Sequence, residues 1–272
     1  MAPGESIVDK FRLHGRVALV TGGSRGIGRA IALSLAEAGA DVVLASRNLP
    51  DLEAVAHEIS QKGRKALPVS ANVRHLAEIG NLVKKAVDEF GRIDVLVNNA
   101  GTNVVFASIF SIDEAAWDAI LGLNLRGYFF LSQAVGKVMR ESGGGSIINV
   151  TSVDGIRPRI GAGCYSISKA GIIMLTQVLA QEWGQYNIRV NGIAPGVVRT
   201  RFSEALWGNR VIRERTEDSA ALGRIGEPEE IGGAAVFLAS EASSYMTGHT
   251  IIVDGGHFSS VRTLLSTIAP KK

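Results

Sequence analysis

Short apolar runs alternate with amphipathic segments along most of this chain. The runs lack the polar alternation of a half-exposed strand, which is typical of strands that are buried on both faces. They predict strands at 17–21, 41–45, 65–69, 93–98, 146–151, 188–193 and 250–253. The segments between them have apolar residues at helical spacing and predict helices at 27–38, 51–62, 75–90, near 113–141, at 165–185 and at 228–240.

This order of elements predicts an α/β protein with a Rossmann-type, doubly wound parallel β-sheet of about seven strands and helices on both faces. No Pro/Ser-rich linker or change of composition divides the chain, so residues 1–272 are expected to form a single domain. Residues 197–226 have no regular period and are predicted to form a loop or lid over a site. Residues from about 257 to 272 are predicted to be a C-terminal extension.

Composition and charge exclude several classes of protein. The 272 residues are 46% hydrophobic, and 29 Lys+Arg against 26 Asp+Glu leave a net charge of +3 with no basic stripe for a nucleic acid. Cys164 is the single cysteine, which excludes an intrachain disulfide and a Cys-based zinc cluster, and the histidines show no metal-ligand spacing. No apolar stretch is long enough to span a membrane, and the N-terminus lacks a secretory signal. The C-terminal Ala-Pro-Lys-Lys is not a peroxisomal address, so a cytoplasmic location is expected.

A glycine-rich segment, TGGSRGIG at 21–28, follows the first predicted strand and opens the first predicted helix. Glycines at this place allow the backbone to approach a pyrophosphate, whose charge then lies at a helix N-terminus. The spacing is G-x-x-x-G-x-G and differs from the general G-x-G-x-x-G pattern. The segment therefore predicts a dinucleotide site, and a purely structural turn is the alternative interpretation.

The end of the second predicted strand bears on which dinucleotide is bound. In NAD-binding sheets an acidic residue there holds the ribose 2′-hydroxyl, but this chain has Ser46-Arg47-Asn48. Arg47, assisted by Arg25 of the glycine segment, is expected to attract a 2′-phosphate. This favours NADP(H) over NAD(H), unless both arginines are ordinary surface charges.

Tyr165 and Lys169 are four residues apart and share one face of a predicted helix. An ammonium group near a phenol favours the phenolate, so the pKa of Tyr165 is expected to fall toward neutrality. Ser152 and the segment Asn98-Asn99-Ala100-Gly101 follow predicted strands, and sheets of this class bind ligands at the carboxyl ends of their strands. Taken alone, the Tyr/Lys pair is also compatible with packing, and Ser152 with a strand-end cap.

From about Leu13 to Gly256 the chain resembles the classical short-chain dehydrogenase/reductase (SDR) family. The motifs that carry the resemblance are TGGSRGIG (21–28), NNAG (98–101), LGLNLRG with Asn124, Ser152, YSISK (165–169), NGIAPG (191–196) and VDGG (253–256). The resemblance implies a metal-independent catalytic tetrad of Asn124, Ser152, Tyr165 and Lys169. In it Tyr165 passes a proton to the carbonyl oxygen and Ser152 hydrogen-bonds that oxygen. Lys169 lowers the pKa of the tyrosine and holds the nicotinamide ribose, and Asn124 anchors a water.

The resemblance also implies the contacts of the cofactor. They are Gly22, Ser24, Arg25, Gly26, Ile27, Gly28, Ser46, Arg47, Asn72, Val73, Asn99, Ala100, Gly101, Tyr165, Lys169, Pro195, Gly196, Val198 and Thr200. One position departs from the family pattern, since Asn72-Val73 stands where the family usually has Asp-Val to hold adenine. An amide oxygen still accepts a hydrogen bond from the adenine amino group, so the contact is weakened and not lost.

The substrate is expected to be a small carbonyl compound or secondary alcohol. Apolar residues follow three of the predicted strands and favour a hydrophobic substrate if they turn inward: Val104, Val105, Phe106, Val153, Ile156, Phe202, Leu206 and Trp207, with Asp154 among them. A sugar-acid dehydrogenase is an alternative, because four arginines in the same segments are compatible with an acidic substrate: Arg157, Arg159, Arg199 and Arg201. A 3-oxoacyl-[acyl-carrier-protein] reductase is a further alternative, although Phe130 and Gln181 replace the arginines that grip the carrier in that group. A non-catalytic NADP-sensing regulator is the alternative outside enzymes, and the intact tetrad argues against it.

Long apolar stretches in two predicted helices exceed a single sheet-facing stripe. They are Tyr128-Phe129-Phe130-Leu131 and Ile172-Ile173-Met174-Leu175. Together with the resemblance they predict a homo-oligomer, most simply a homotetramer, in which these helices supply a two-fold interface.

Overall fold

The computed structural model describes residues 6–257, and its seven strands form one parallel sheet in the order β3-β2-β1-β4-β5-β6-β7. The strands are β1 (Val17–Thr21), β2 (Asp41–Ser46), β3 (Ala66–Ser70), β4 (Val95–Asn98), β5 (Gly145–Val150), β6 (Ile188–Pro195) and β7 (Thr250–Val253). Every strand predicted from the apolar runs is present, and the boundaries differ by one or two residues.

Helices cover both faces of the sheet. They are α1 (Gly26–Glu37), α2 (Leu49–Gln61), α3 (Leu76–Phe90), α4 (Glu114–Leu121), α5 (Gly127–Glu141), α6 (Gly163–Trp183), α7 (Arg210–Asp218) and α8 (Glu229–Ala239). Side chains of β1 point alternately to the two faces: Leu19 packs in the cluster under α3, α5 and α6, and Val20 in the cluster under α1, α2 and α8. Both are fully buried, which explains why the strands are apolar without alternation. The predicted doubly wound α/β fold is confirmed.

The order of the strands creates a crevice at the carboxyl edge of the sheet. β1 pairs with β2 on one side and with β4 on the other, so the chain reverses its direction of travel across the sheet between β3 and β4. Loops after β1 and β4 therefore diverge, and open sheets of this kind bind ligands at this point.

A π-helical turn, Gly122–Arg126, joins α4 to α5. Within it the Gly127 N–H donates to the Gly122 carbonyl five residues back, so the turn contains one residue more than an α-helical turn. Asn124 lies in this turn and is fully buried.

The prediction of an irregular stretch at 197–226 is wrong in part. A 3-10 helix (Arg201–Leu206) and α7 occur within it, and α7 begins where the Asn209 side chain accepts hydrogen bonds from Val211 N and Ile212 N. α7 has no buried residue, and its only apolar side chains, Val211 and Ile212, are adjacent in the sequence, so no apolar pattern at helical spacing reveals it. Of the predicted C-terminal extension, residues 258–272 lie outside the described part of the chain.

Candidate active site

A cavity of about 1060 Å³ runs along the carboxyl edge of the sheet. It is lined by the glycine segment, by residues that follow β2, β3, β4, β5 and β6, by the start of α6 and by the 3-10 helix after β6. Its position at the point where the strand order reverses is the one expected for a dinucleotide-binding sheet.

The glycine segment forms one end of the cavity in a conformation that excludes larger residues. Gly22 and Gly26 have φ angles of +65° and +54°, in the left-handed region. A Cβ atom on Gly28 would lie 2.2 Å from the Gly22 carbonyl oxygen. The backbone is therefore exposed to the cavity at the N-terminus of α1, which fits the pyrophosphate of a dinucleotide.

Thr21 and Asn99 hold the glycine segment in place through hydrogen bonds. Asn99 Nδ2 donates to the Thr21 carbonyl at 2.9 Å, and Thr21 Oγ1 accepts from Asn99 N at 2.9 Å and Ala100 N at 3.1 Å. Thr21 was not among the residues predicted from the sequence. Its hydroxyl ties the end of β1 to the end of β4, and only the pairing of these strands shows that it lies there.

The cofactor-binding residues predicted near the adenosine all line the same end of the cavity. Arg25 and Arg47 are exposed there, and neither guanidinium pairs with a carboxylate of residues 6–257. Asn72 also lines the cavity, but its Oδ1 atom accepts a hydrogen bond from Arg74 N at 3.2 Å. Arg74 lines this end as well and was not predicted. The local charge is positive, which suits a phosphate.

Ser152, Tyr165 and Lys169 meet at the other end of the cavity. Ser152 follows β5, and its Oγ atom accepts a hydrogen bond from Asp154 N at 3.1 Å, which leaves the hydroxyl proton available for donation. Tyr165 and Lys169 project from the first turns of α6, and Lys169 Nζ donates to the Val150 carbonyl at 2.8 Å.

Asn124 does not line the cavity and lies behind it. Its Nδ2 atom donates to the Thr102 carbonyl at 2.9 Å and to Ser168 Oγ at 3.0 Å, and its Oδ1 atom accepts from Thr102 N at 2.8 Å. Both amide hydrogens are used within the protein, so the side chain has no donor left for a water. Asn124 ties the segment after β4 to α6 immediately before Lys169.

The expected fall of the Tyr165 pKa toward neutrality is not found in this structure. Burial raises the pKa of Tyr165 well above its ordinary value, and the negative charge of Asp154 raises it further. Ser152 and Arg159 act in the opposite direction without reversing the shift. Burial also lowers the pKa of Lys169 from 10.5 to about 7, so the ammonium group loses charge where the tyrosine needs it. Tyr165 is accordingly a protonated phenol at neutral pH.

The wall near Tyr165 is mostly apolar, and the Tyr165 and Phe202 rings lie 5.9 Å apart. The apolar residues that line it include Val104, Val105, Phe106, Phe202 and Leu206. Three other predicted residues do not line the cavity: Val153 is buried, Ile156 is exposed, and Trp207 Nε1 donates to the Thr200 carbonyl at 3.2 Å. Their direction depends on the turns that follow each strand, which the sequence does not specify.

Charged groups also face the substrate end. Asp154 Oδ1 accepts from Arg159 Nε at 3.3 Å and lies 3.2 Å from Arg159 Nη2, and both residues line the cavity. Arg199 and Arg201 line it too, and Arg199 pairs with Glu227. Arg157 is not part of the wall. The predicted apolar pocket is thus polar on one side.

No helix within residues 6–257 combines the length and the apolar character needed to cross a bilayer.

Comparisons with known proteins find reductases and dehydrogenases that are similar to this chain over most of its length. A family model described as "Enoyl-(Acyl carrier protein) reductase" matches residues 22–257. The chain is 39% identical over 251 residues to 2-dehydro-3-deoxy-D-gluconate 5-dehydrogenase of Dickeya dadantii, covering 92% of this chain and 98% of the relative. It is 38% identical over 244 residues to dehydrogenase/reductase SDR family member 4 of Oryctolagus cuniculus, covering 90% and 94%. The structure of a gluconate 5-dehydrogenase from Burkholderia cenocepacia J2315, in complex with NADP and tartrate, is similar with a TM-score of 0.90 and 37% identity, covering 94% and 100%.

Proposed function

The chain belongs to the short-chain dehydrogenase/reductase family and is an oxidoreductase, and we propose that it interconverts a small-molecule ketone or aldehyde and the corresponding alcohol with NADP(H). The observation that carries the proposal is the convergence of Ser152, Tyr165 and Lys169 on the cavity that holds the glycine segment at its other end. A pyrophosphate-binding backbone and a proton donor therefore lie in one cavity.

Each catalytic residue has a role that follows from its contacts. The chain's own residues would align the reactants and hold or move protons, and a bound nicotinamide would supply or accept the hydride. Tyr165, protonated at neutral pH, would donate its proton to the carbonyl oxygen, and the Ser152 hydroxyl would donate a hydrogen bond to the same oxygen. Lys169 lines the cavity and would hold the nicotinamide ribose, as the family resemblance implies, and Asn124 is a positioning residue for α6.

The selectivity for NADP(H) is proposed from Arg25 and Arg47, which line the adenosine end without a carboxylate partner in the described chain. The Burkholderia relative in complex with NADP supports the choice. We expect kcat/KM to be higher with NADPH than with NADH, and Arg47→Asp to move the preference toward NADH. A wild-type preference for NADH would contradict this selectivity and leave the oxidoreductase function intact.

The proton donor is tested with Tyr165→Phe, which removes one hydroxyl and keeps the ring that contacts Phe202. We expect turnover of any carbonyl substrate to be lost while NADPH binding, followed by its fluorescence, is nearly unchanged. Tyr245→Phe is the matched control, because Tyr245 is fully exposed and is not part of the cavity lining. Near wild-type turnover by Tyr165→Phe would overturn the mechanism. Tight NADPH binding without turnover of any carbonyl by the wild type would instead indicate a regulator.

Two more specific activities are candidates for this chain. A sugar-acid dehydrogenase is favoured by Arg159 and Arg201 in the cavity wall and by the gluconate-type relatives. A 3-oxoacyl-[acyl-carrier-protein] reductase is favoured by a relative of that description in Thermotoga maritima, 41% identical over 246 residues, but Phe130 and Gln181 lack the charge to grip an acidic carrier. A screen of ketones, aldehydes, sugar acids and steroids with NADPH separates these from a hydrophobic carbonyl compound. Salt-sensitive capture of acyl carrier protein would favour the reductase.

The proposal extends to a homotetramer. Apolar side chains remain exposed on the faces of α5 and α6 that turn away from the sheet, among them Phe129, Met174 and Val178. Faces of this kind are typical of surfaces that another subunit covers.

A further inference from the structure

The side chain of Asp154 is placed where a carboxylate has no role in packing. It lies two residues after Ser152 in a short 3-10 turn, is 11% exposed and borders the cavity. Only its Oδ1 atom is engaged by Arg159, and within residues 6–257 the Oδ2 atom accepts no hydrogen bond.

Stability does not explain the pair. Burial raises the pKa of Asp154 against the opposing effect of Arg159, so desolvation exceeds the attraction between the two charges. Buried ion pairs generally contribute little net stability, because both charges lose their hydration.

The backbone of Asp154 lies next to the atom that is proposed to hold the reacting oxygen. Asp154 N donates to Ser152 Oγ at 3.1 Å, and Ser152 Oγ is the atom proposed to hold the carbonyl oxygen of the substrate. An aspartate side chain is too short to reach the distant end of a substrate. The substituent within its reach is the one on the carbon next to the carbonyl.

Asp154 and Arg159 present an acceptor and donors side by side. A hydroxyl group satisfies both, since it donates to the carboxylate and accepts from the guanidinium. A carboxylate group would be repelled by Asp154, and a methylene group would leave the Asp154 Oδ2 atom without a hydrogen-bond donor. We propose that Asp154 and Arg159 form a hydroxyl-recognition pair that selects substrates with a hydroxyl on the carbon next to the reacting carbonyl. The substrate class is then α-hydroxy ketones, with vicinal diols in the reverse direction. This inference rests on the proposed function of the same cavity.

The test compares two probes that differ by one hydroxyl group. The full chain with NADPH is assayed on 2-hydroxycyclohexanone and on cyclohexanone, and the ratio of their kcat/KM values is the readout. We expect the wild type to favour the hydroxy ketone by roughly 10–100-fold, because a site built to bind a hydroxyl rejects the analogue that lacks it. Asp154→Ala is expected to reduce the ratio to about 1–3, mainly through KM.

Two further variants test whether misfolding or the loss of any carboxylate explains the effect of Asp154→Ala. Asp154→Asn keeps the volume of the side chain and is expected to lower the ratio partially, so it covers the case in which Asp154→Ala fails to fold. Asp88→Ala removes a carboxylate that pairs with Lys84 on the exposed face of α3, and it should retain the wild-type ratio.

A binding measurement separates this inference from the proposed function. The NADPH-bound enzyme is titrated with trans-1,2-cyclohexanediol and with cyclohexanol, followed by NADPH fluorescence. If the wild type prefers the diol, Asp154→Ala abolishes that preference and neither ketone is turned over, the pair is supported and the proposed reduction of ketones by NADPH is overturned. Turnover of both ketones with a wild-type ratio near one, or with the same ratio in Asp154→Ala, overturns the pair and leaves the function standing. If the wild type shows no turnover of either ketone and no preference for the diol, both the pair and the proposed function are overturned.

Discussion

Lys169 is an ionisable side chain held where its charge is unfavourable. It is 3% exposed, and its Nζ atom donates to the Val150 carbonyl, which also accepts from the Tyr128 hydroxyl at 3.3 Å. Burial lowers its pKa to about 7. The lysine is therefore kept in the protein at the expense of stability, as is common for catalytic groups.

We expect Lys169→Met to raise the melting temperature and to abolish turnover. Methionine keeps the length of the chain without a charge, and the Val150 carbonyl keeps its Tyr128 donor. Below about pH 7 both folded and unfolded wild type carry the charge, so the full penalty is present. Above it the unfolded state binds a proton that the native state does not, and the stability of the wild type rises with pH. The difference between variant and wild type should therefore shrink from pH 7 to about pH 9.

Thermal denaturation at several pH values measures this difference. Lys84→Met is the matched control, because the Lys84 side chain is 71% exposed and its substitution should give no comparable trend. A difference that stays constant with pH would contradict the buried-lysine interpretation.

At the scale of elements, the glycine segment depends on close contact with the end of β4. A Cβ atom on Gly28 would lie 2.4 Å from Asn99 Nδ2 as well as 2.2 Å from the Gly22 oxygen. Neither neighbour is free to move, since Asn99 holds the Thr21 carbonyl. The backbone of the segment is therefore fixed by packing before any ligand binds.

Gly28→Ala is expected to displace the segment, to lower NADPH affinity by at least about 100-fold and to destabilise the protein by about 1–3 kcal/mol. Gly80→Ala is the control: a Cβ there meets nothing within 4 Å on α3, so it should stabilise the protein by about 0.5–1 kcal/mol. NADPH fluorescence titration and thermal unfolding measure both effects. Wild-type NADPH affinity in Gly28→Ala would contradict the packing argument.

The elements differ in how well the sequence predicts them, and burial is the reason. β1 and the other central strands are buried on both faces, so their apolar runs are unambiguous. α7 buries no residue and leaves no stripe to detect. The pairing of Asp154 with Arg159 depends on the path of an irregular turn, and no spacing rule marks it. The pKa of Tyr165 was predicted wrongly because spacing shows the nearby lysine but not the burial.

At the scale of the whole molecule, one surface is more apolar than a monomer requires. Met174 is 59% exposed and Phe129 is 42% exposed, on neighbouring helices of the same side of the sheet. Covering such side chains removes apolar area from water, at about 25 cal/mol per Å². This gain is the driving force for the proposed association.

Met174→Glu is expected to dissociate the proposed homotetramer into smaller species, because a charge would then be buried against a neighbouring subunit. Light scattering at micromolar concentration measures the mass. Val211→Glu adds the same charge at a 56% exposed position of α7 and should leave the mass unchanged. A monomeric wild type would contradict the association.

Because of the π-helical turn at Gly122–Arg126, a single-residue deletion should be tolerated in the turn but not in the adjoining helix α5. Because the turn holds one residue more than an α-helical turn, a chain lacking Leu123 can close it with ordinary i→i+4 bonds and keep α4 and α5 on their present faces. α5 contains no extra residue of this kind around Val135. Deletion of Val135 would therefore rotate Met139 by about 100° out of the core. We expect circular dichroism to show a folded protein for the first deletion and loss of cooperative unfolding for the second. Over this stretch the chain carries a residue that the helix does not need for folding, and its removal would disturb the cavity wall that Leu123 lines and the placement of Asn124.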